Sequence, residues 1–279
     1  NYCGREISAL GHKVSLIPPQ HVKAFLTGNK NDYNDAYAIL IASQQAHIRP
    51  VAIKTVEQQD NQAVHKVREL AIQQRTSLSN QVRGLLLEYG IDVAIGIENV
   101  RKKESALLAI ESPLTASFKQ LLTQLYALLR VLDDSIQRYS QQIKVQAEKN
   151  DICQKLQTIP GIGPLVASSF FNEVGNGSFY QKGRDVSASL GLVPKQHSTG
   201  GKNVLLGISK RGNSYLRCLL IQGAKAVVSR AKGKTDALSQ WINRLVATRG
   251  HNKACVAYAN KMARIAWAVT VSGEVYQAR

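Results

Sequence analysis

Phe118-Lys-Gln-Leu-Leu-Thr-Gln-Leu-Tyr-Ala-Leu-Leu-Arg-Val-Leu-Asp-Asp-Ser-Ile-Gln-Arg-Tyr-Ser-Gln-Gln-Ile143 is the stretch that decides the fold. Phe118, Leu121, Leu125, Leu128, Leu132, Ile136, Tyr139 and Ile143 step by three or four residues. That is an a/d-like seam sustained over several heptads, and it predicts one long helix. Upstream, Val64, Val67, Ala71, Leu78, Val82 and Leu85 fall largely on one helical face. Gly90, Gly96 and Pro113 break the pattern between the two runs. The simplest structure for residues 55–150 is a long antiparallel helical hairpin, either a coiled coil or part of a dimer.

On the N-terminal side, residues 1–54 read as part of an α/β unit. Cys3 to Leu10 suits a short helix ended by Gly11, and Lys13 to Ile17 is β-rich and stopped by Pro18-Pro19. Ala36, Ile39 and Leu40 give Asn34 to Gln45 a helical spacing. Ala52 to Lys54 is the one other strand candidate. A lone strand leaves its backbone groups unpaired. The segment is therefore expected to be the tail of a larger α/β domain whose first strands are missing. On the C-terminal side, residues 151–279 read as mostly helical. The fold class is thus mainly α: an α/β remnant, a coiled-coil hairpin and a helical C-terminal domain.

The charge is lopsided. Thirty-six Lys and Arg against nineteen Asp and Glu leave +17. From Lys195 to Arg279, fifteen basic residues face only Asp236 and Glu274, so this part alone carries +13. Such a density repels itself unless a polyanion neutralises it, and DNA or RNA phosphate is the default partner. The apolar fraction of 44% excludes a disordered polyelectrolyte. No stretch approaches about 18 uncharged apolar residues, so no membrane span is expected. Cys3, Cys153, Cys218 and Cys255 are scattered and are read as small buried hydrophobes in a reducing compartment. His12, His21, His47, His65, His197 and His251 show no zinc-type clustering.

Three local patterns suggest chemistry. Leu156-Gln-Thr-Ile-Pro-Gly-Ile-Gly-Pro164 sits between two apolar runs and reads as the turn of a helix-hairpin-helix element. Gly161 and Gly163 would let backbone approach a phosphate at the following helix N-terminus. Gly191 to Lys202 and Gly207 to Arg217 are two glycine-rich stretches carrying Lys195, Lys202, Lys210, Arg211 and Arg217. Backbone amides beside such cations can cradle phosphates, and a Ser among them has the chemistry to attack a phosphodiester. The alternative is an anchoring loop without chemistry. Asn31-Asp-Tyr-Asn-Asp-Ala36 places Asp32 and Asp35 three residues apart. On a first helical turn they would share one side and could hold Mg²⁺; alternatively, Asp32 is simply an N-cap.

Taken together, these stretches resemble the insertion-sequence-110 family of bacterial transposases, in its subgroup close to insertion sequence 1111. The resemblance covers essentially the whole chain. It is carried by Leu16-Ile-Pro-Pro-Gln20, Lys30-Asn-Asp-Tyr-Asn-Asp-Ala36, Arg75-Thr-Ser-Leu-Ser-Asn-Gln-Val-Arg-Gly-Leu85, Ile159-Pro-Gly-Ile-Gly163, Gly191-Leu-Val-Pro194, His197-Ser-Thr-Gly-Gly-Lys202 and Ile208-Ser-Lys-Arg-Gly212. It implies an N-terminal RuvC-like domain with an RNase H-type sheet and an Asp-Glu-Asp-Asp Mg²⁺ site. A coiled-coil region and a helical transposase domain with a nucleophilic Ser would follow. It further implies a structured guide RNA, DNA as substrate, a phosphoserine intermediate and a dimer or tetramer with composite sites. The setting would be the bacterial cytoplasm, at the nucleoid.

On this chain, Asp32 and Asp35 match the last two acids of that quartet, as catalytic and metal-binding residues. The first Asp and the Glu would lie before Asn1, so an N-terminally truncated, impaired enzyme that binds Mg²⁺ weakly is expected. The Ser position falls on Ser198 or Thr199, with Ser198 favoured as the less hindered hydroxyl. The expected nucleic-acid contacts are Gly161, Gly163, Lys195, Lys202, Lys210, Arg211 and Arg217. The competing functions are a non-catalytic nucleic-acid-binding fragment and a site-specific DNA invertase.

Overall fold

The computed structural model describes residues 1–46, 48 and 50–277. His47 and Arg279, both counted above, lie outside the described residues. The elements run α1 (Tyr2–Ala9), α2 (Pro19–Val22), α3 (Asp32–Ser43), α4 (Val56–Leu87), α5 (Ile97–Leu108), α6 (Ala116–Lys149), α7 (Asp151–Leu156), α8 (Pro164–Val174) and α9 (Gly183–Ser189). Then come β1 (Pro194–Gln196), β2 (Leu205–Ile208), α10 (Ser214–Ser229), α11 (Ala237–Arg249) and α12 (His251–Ser272). The chain is mainly helical, as expected. No helix among the described residues is long and apolar enough to cross a membrane.

The α4–α6 hairpin forms as the periodicity requires. Thr55 starts α4 with a capping box, its side chain accepting from the Gln58 amide while Gln58 reaches back to the Thr55 amide. Thr115 caps α6. Arg68 Nε donates to Ser140 Oγ at 2.7 Å, and Arg75 Nη1 pairs with Asp133 at 3.1 Å. Partner numbers fall on α6 as they rise on α4, so the helices are antiparallel. Asp133 also holds Arg101 of α5, and one carboxylate thereby ties three helices together.

The seam itself needs correcting. The buried face of α6 is Phe118, Leu122, Tyr126, Leu129, Ile136, Ile143 and Ala147. Leu121 and Leu128 lie on a neighbouring stripe and are 40% and 49% exposed. Two apolar stripes run side by side on this helix, and periodicity alone does not say which one meets α4. On α4 the inward face is partly polar, with Asn61, His65 and Ser79 buried beside Ala71, Val82 and Leu86. An apolar count therefore missed it.

Residues 1–54 contain α1 and α3 close to where the sequence puts them. The expected strands are reduced to one antiparallel bridge between Leu16 and Val51. Only β1 and β2 are strands among the described residues, and they lie where the sequence reading placed glycine-rich loops. The cysteines divide evenly: Cys153 and Cys255 are buried, whereas Cys3 and Cys218 are exposed.

The main core gathers α7 to α12, with Leu156, Phe170, Leu216, Leu220, Tyr258 and Met262 almost wholly buried. A second core fills the far end of the hairpin around Leu86, Val100 and Leu122. His65 joins hairpin to main core. Its Nδ1 lies 3.1 Å from Tyr215 Oη of α10, and its Nε2 lies 3.0 Å from Ser168 Oγ of α8. Burial, helped by the Arg68 charge, lowers its pKa from 6.5 to about 4. Between these values the unfolded chain takes up a proton that the folded chain refuses. Stability is therefore expected to fall as pH drops through that window, by at most about 3 kcal/mol. Thermal unfolding of wild type and His65→Gln across the same window checks this. A smaller acid-induced drop in the variant is expected, and parallel curves would contradict it.

Candidate functional site

The two glycine-rich stretches form one projecting β-hairpin. Pro194 pairs with Ile208 and Gln196 with Leu205, and a further bridge joins Thr199 to Lys202. Gly200 and Gly201 make the tip, with φ of +53° and +76°. Two successive positive φ values are what a two-residue type I′ hairpin turn demands, and Gly-Gly meets that demand at no steric cost. Ser198 and Thr199 stand just before the tip, fully on the surface. Gln196 Nε2 donates to Ser198 Oγ at 3.0 Å. The serine hydroxyl is thus held by its own strand, whereas Thr199 is engaged through its backbone.

The base of this hairpin is tied by backbone hydrogen bonds. The Ser209 amide donates to Val193 O at 2.8 Å, and the Lys210 amide to Gly191 O at 3.2 Å. Lys210 takes φ +56°, the one left-handed non-glycine among the described residues. Arg217 of α10 reaches beneath the loop. Its Nη1 donates to Leu190 O at 2.9 Å and to Arg211 O at 2.7 Å. Arg217 is only 9% exposed. It is a buried tie for the loop, which departs from the expected role of surface phosphate ligand. Lys195, Lys202, Lys210 and Arg211 are exposed and gather around the hairpin.

The turn at Ile159 to Gly163 divides its two glycines. A Cβ on Gly161 would lie 2.9 Å from Gly223 O of α10, and one on Gly223 would lie 2.1 Å from Gly161 O. Tyr258 Oη donates to Pro160 O at 2.7 Å. Gly161 therefore lets the turn press against α10, where a side chain would not fit. Gly163 caps α8, with open space around it. Both glycines are half-buried, and they differ in what surrounds their Cβ positions.

Asp32 and Asp35 both lie in the first turn of α3. Asn31 is the cap, accepting from the Asn34 amide at 2.7 Å, so Asp32 is not an N-cap. Asp32 is exposed. Asp35 lines a cleft of about 550 Å³ with Leu16, Ile17, Val22, Leu26 and Ile39. Among the described residues no three His, Cys, Asp or Glu side chains are placed to hold one metal ion. Two carboxylates supply only part of the oxygen shell that Mg²⁺ demands, so they do not by themselves fit the ion. Among the described residues, no hydrogen bond or ion pair links α3 to the Ser198 hairpin.

One polar cluster escaped the sequence reading. His65, Lys66, Glu69, Asn172, Glu173 and Tyr215 surround a cavity of about 300 Å³ beside the start of α10. No spacing signal joins positions so far apart in the chain, and only the helix packing brings them together.

Residues 153–240 match the family described as transposase IS116/IS110/IS902. Residues 7–91 match a second transposase family model, of the insertion-sequence-110 DEDD type. The transposase for insertion sequence element IS1111A of Coxiella burnetii is 46% identical over 99% of this chain and 76% of its own length. A probable family 20 transposase of Pseudomonas aeruginosa is 44% identical over 96% of this chain and 80% of its own. A pilin gene-inverting protein of Moraxella bovis is 29% identical over half of this chain and 45% of its own. With identity this high over nearly all its length, the chain belongs to the IS116/IS110/IS902 family of insertion-element transposases.

Proposed function

We propose that this chain acts in strand cleavage and exchange of a mobile insertion element, with Ser198 as the nucleophile. One observation carries the reading: an exposed serine stands just before the tip of a hairpin whose strands, tip and base carry the exposed cations Lys195, Lys202, Lys210 and Arg211. Cations so placed would hold DNA phosphate by charge and lower the cost of developing negative charge. In the step, Ser198 Oγ bonds to phosphorus and loses its proton. The bond from phosphorus to one deoxyribose oxygen breaks, and that oxygen leaves and takes up a proton. The DNA end stays on the protein as a phosphoserine ester. A second strand's hydroxyl reverses the reaction on the new partner.

The remaining parts of the proposal concern assembly. Asp32 and Asp35 stand apart from the hairpin in hydrogen bonding and offer an incomplete metal shell, so this chain alone binds Mg²⁺ weakly and cleaves poorly. A homo-oligomer would bring carboxylates of one copy to the hairpin of another. The exposed Leu121, Leu128 and Val131 stripe on α6 supports such pairing. A structured guide RNA would choose the sequence, leaving the protein to contact backbones. DNA inversion is the second reading, favoured by the Moraxella relative's name.

The test traps a covalent protein–DNA adduct in an assembly supplied with Mg²⁺ and the element's noncoding RNA. Loss of the adduct in Ser198→Ala with retention in Thr199→Ala is expected. An adduct that survives Ser198→Ala overturns the assignment.

A further inference from the structure

A second basic surface lies outside the hairpin. The first turn of α9 packs against α12, and with Trp241 of α11 they line an open groove of about 750 Å³. Its walls carry Lys182, Arg184, Trp241, Asn260, Lys261 and Arg264, and no acidic side chain lines it. Lys182, Arg184 and Arg264 have no ion-pair partner among the described residues. Lys261 Nζ sits 4.6 Å from the centre of the Trp241 ring, which fixes this ammonium at the wall. Trp267 also lines the groove, its indole locked by a 3.0 Å bond from Nε1 to Gly177 O. Four cations line one trough with no acidic lining side chain among the described residues; they repel each other, and an anionic chain relieves that repulsion.

The groove is joined to the hairpin. Asn260, on its wall, donates from Nδ2 to Leu192 O at 3.1 Å. Leu192 lies two residues before the strand that leads to Ser198. We propose that this groove holds the sugar-phosphate backbone of a single nucleic-acid strand and leads it to the Ser198 hairpin. The inference rests on the nucleic-acid reading above and adds a location and a strand state to it. Cations interleaved with tryptophan side chains along its wall suit one unpaired strand.

The experiment measures fluorescence anisotropy with labelled single-stranded DNA, single-stranded RNA of the same sequence, and duplex DNA. One variant combines Lys182→Gln, Arg184→Gln and Arg264→Gln, all at exposed positions that do not threaten the fold. A control of equal charge combines Lys232→Gln, Lys234→Gln and Arg249→Gln, none of which lines the groove. The groove variant is expected to bind single strands about tenfold or more weakly, and the control to change by less than about threefold. The strand, DNA or RNA, that suffers the larger loss is the occupant. Equal losses in both variants, or none in the groove variant, overturn the inference and leave the duplex-binding result standing. Failure of the wild-type chain to bind any of the three probes overturns the nucleic-acid reading along with it.

Discussion

Gly212→Ala is expected to destabilise the chain by roughly 3–5 kcal/mol. Gly212 sits at φ +68°, and a Cβ there would lie 1.8 Å from Ser189 O. The neighbour is backbone, so no rotamer change makes room. The left-handed φ alone costs a side chain about 1–2 kcal/mol, and the overlap forces the segments around Ser189 and Lys210 apart. The bonds at the hairpin base are then strained, including those from Ser209 to Val193 and from Lys210 to Gly191. Gly207→Ala is the control, because nothing lies within 4 Å of its Cβ position. Urea unfolding followed by circular dichroism should show a large fall in midpoint for Gly212→Ala and little change for Gly207→Ala. Equal midpoints would mean that the loop does not pack as described.

Arg217→Met is the second large effect, and it separates structure from binding. The methionine keeps the stem but leaves Leu190 O and Arg211 O without their donor. A buried carbonyl left unpaired costs about 1–3 kcal/mol, and Leu190 O is buried while Arg211 O is part-buried, so a loss of about 2–3 kcal/mol is expected for the two together. DNA binding by the folded variant should keep its salt dependence, because the guanidinium faces the interior. A surface phosphate ligand would behave oppositely. Its loss would spare stability and reduce the slope of log affinity against log salt by about 0.9. Unfolding and binding measured on the same preparation decide between the two roles.

The sequence made the helices legible wherever amphipathicity was strong. The helical hairpin and α3 follow from apolar spacing and α1 from its stop at Gly11, whereas the caps at Asn31, Thr55 and Thr115 come from the structure. It was less clear where polar residues carry the packing. The inward side of α4 is built on His65, Arg68 and Arg75, whose partners lie far along the chain on α6, α8 and α10. Of the two stripes on α6, Leu121 and Leu128 looked as good as Leu122 and Leu129, and only the structure chooses. The β-hairpin had a local signal: Gly200-Gly201 between extended residues is a hairpin turn. Reading those glycines as a phosphate cradle obscured it. Of the basic residues, charge alone does not tell exposed Lys202 from buried Arg217. The groove beside α9 brings together residues whose only common sequence feature is their charge.

The central claim is that the basic C-terminal third meets nucleic-acid phosphate. The direct measurement is the affinity of the whole chain for labelled duplex DNA across a series of salt concentrations. Each phosphate neutralised contributes about 0.9 to the fall of log affinity with log salt. With Lys195, Lys202, Lys210 and Arg211 all engaged, the slope is expected to be at least about 3 in magnitude. A slope near zero would contradict the account, because it would mean that this positive surface does not bind the DNA backbone.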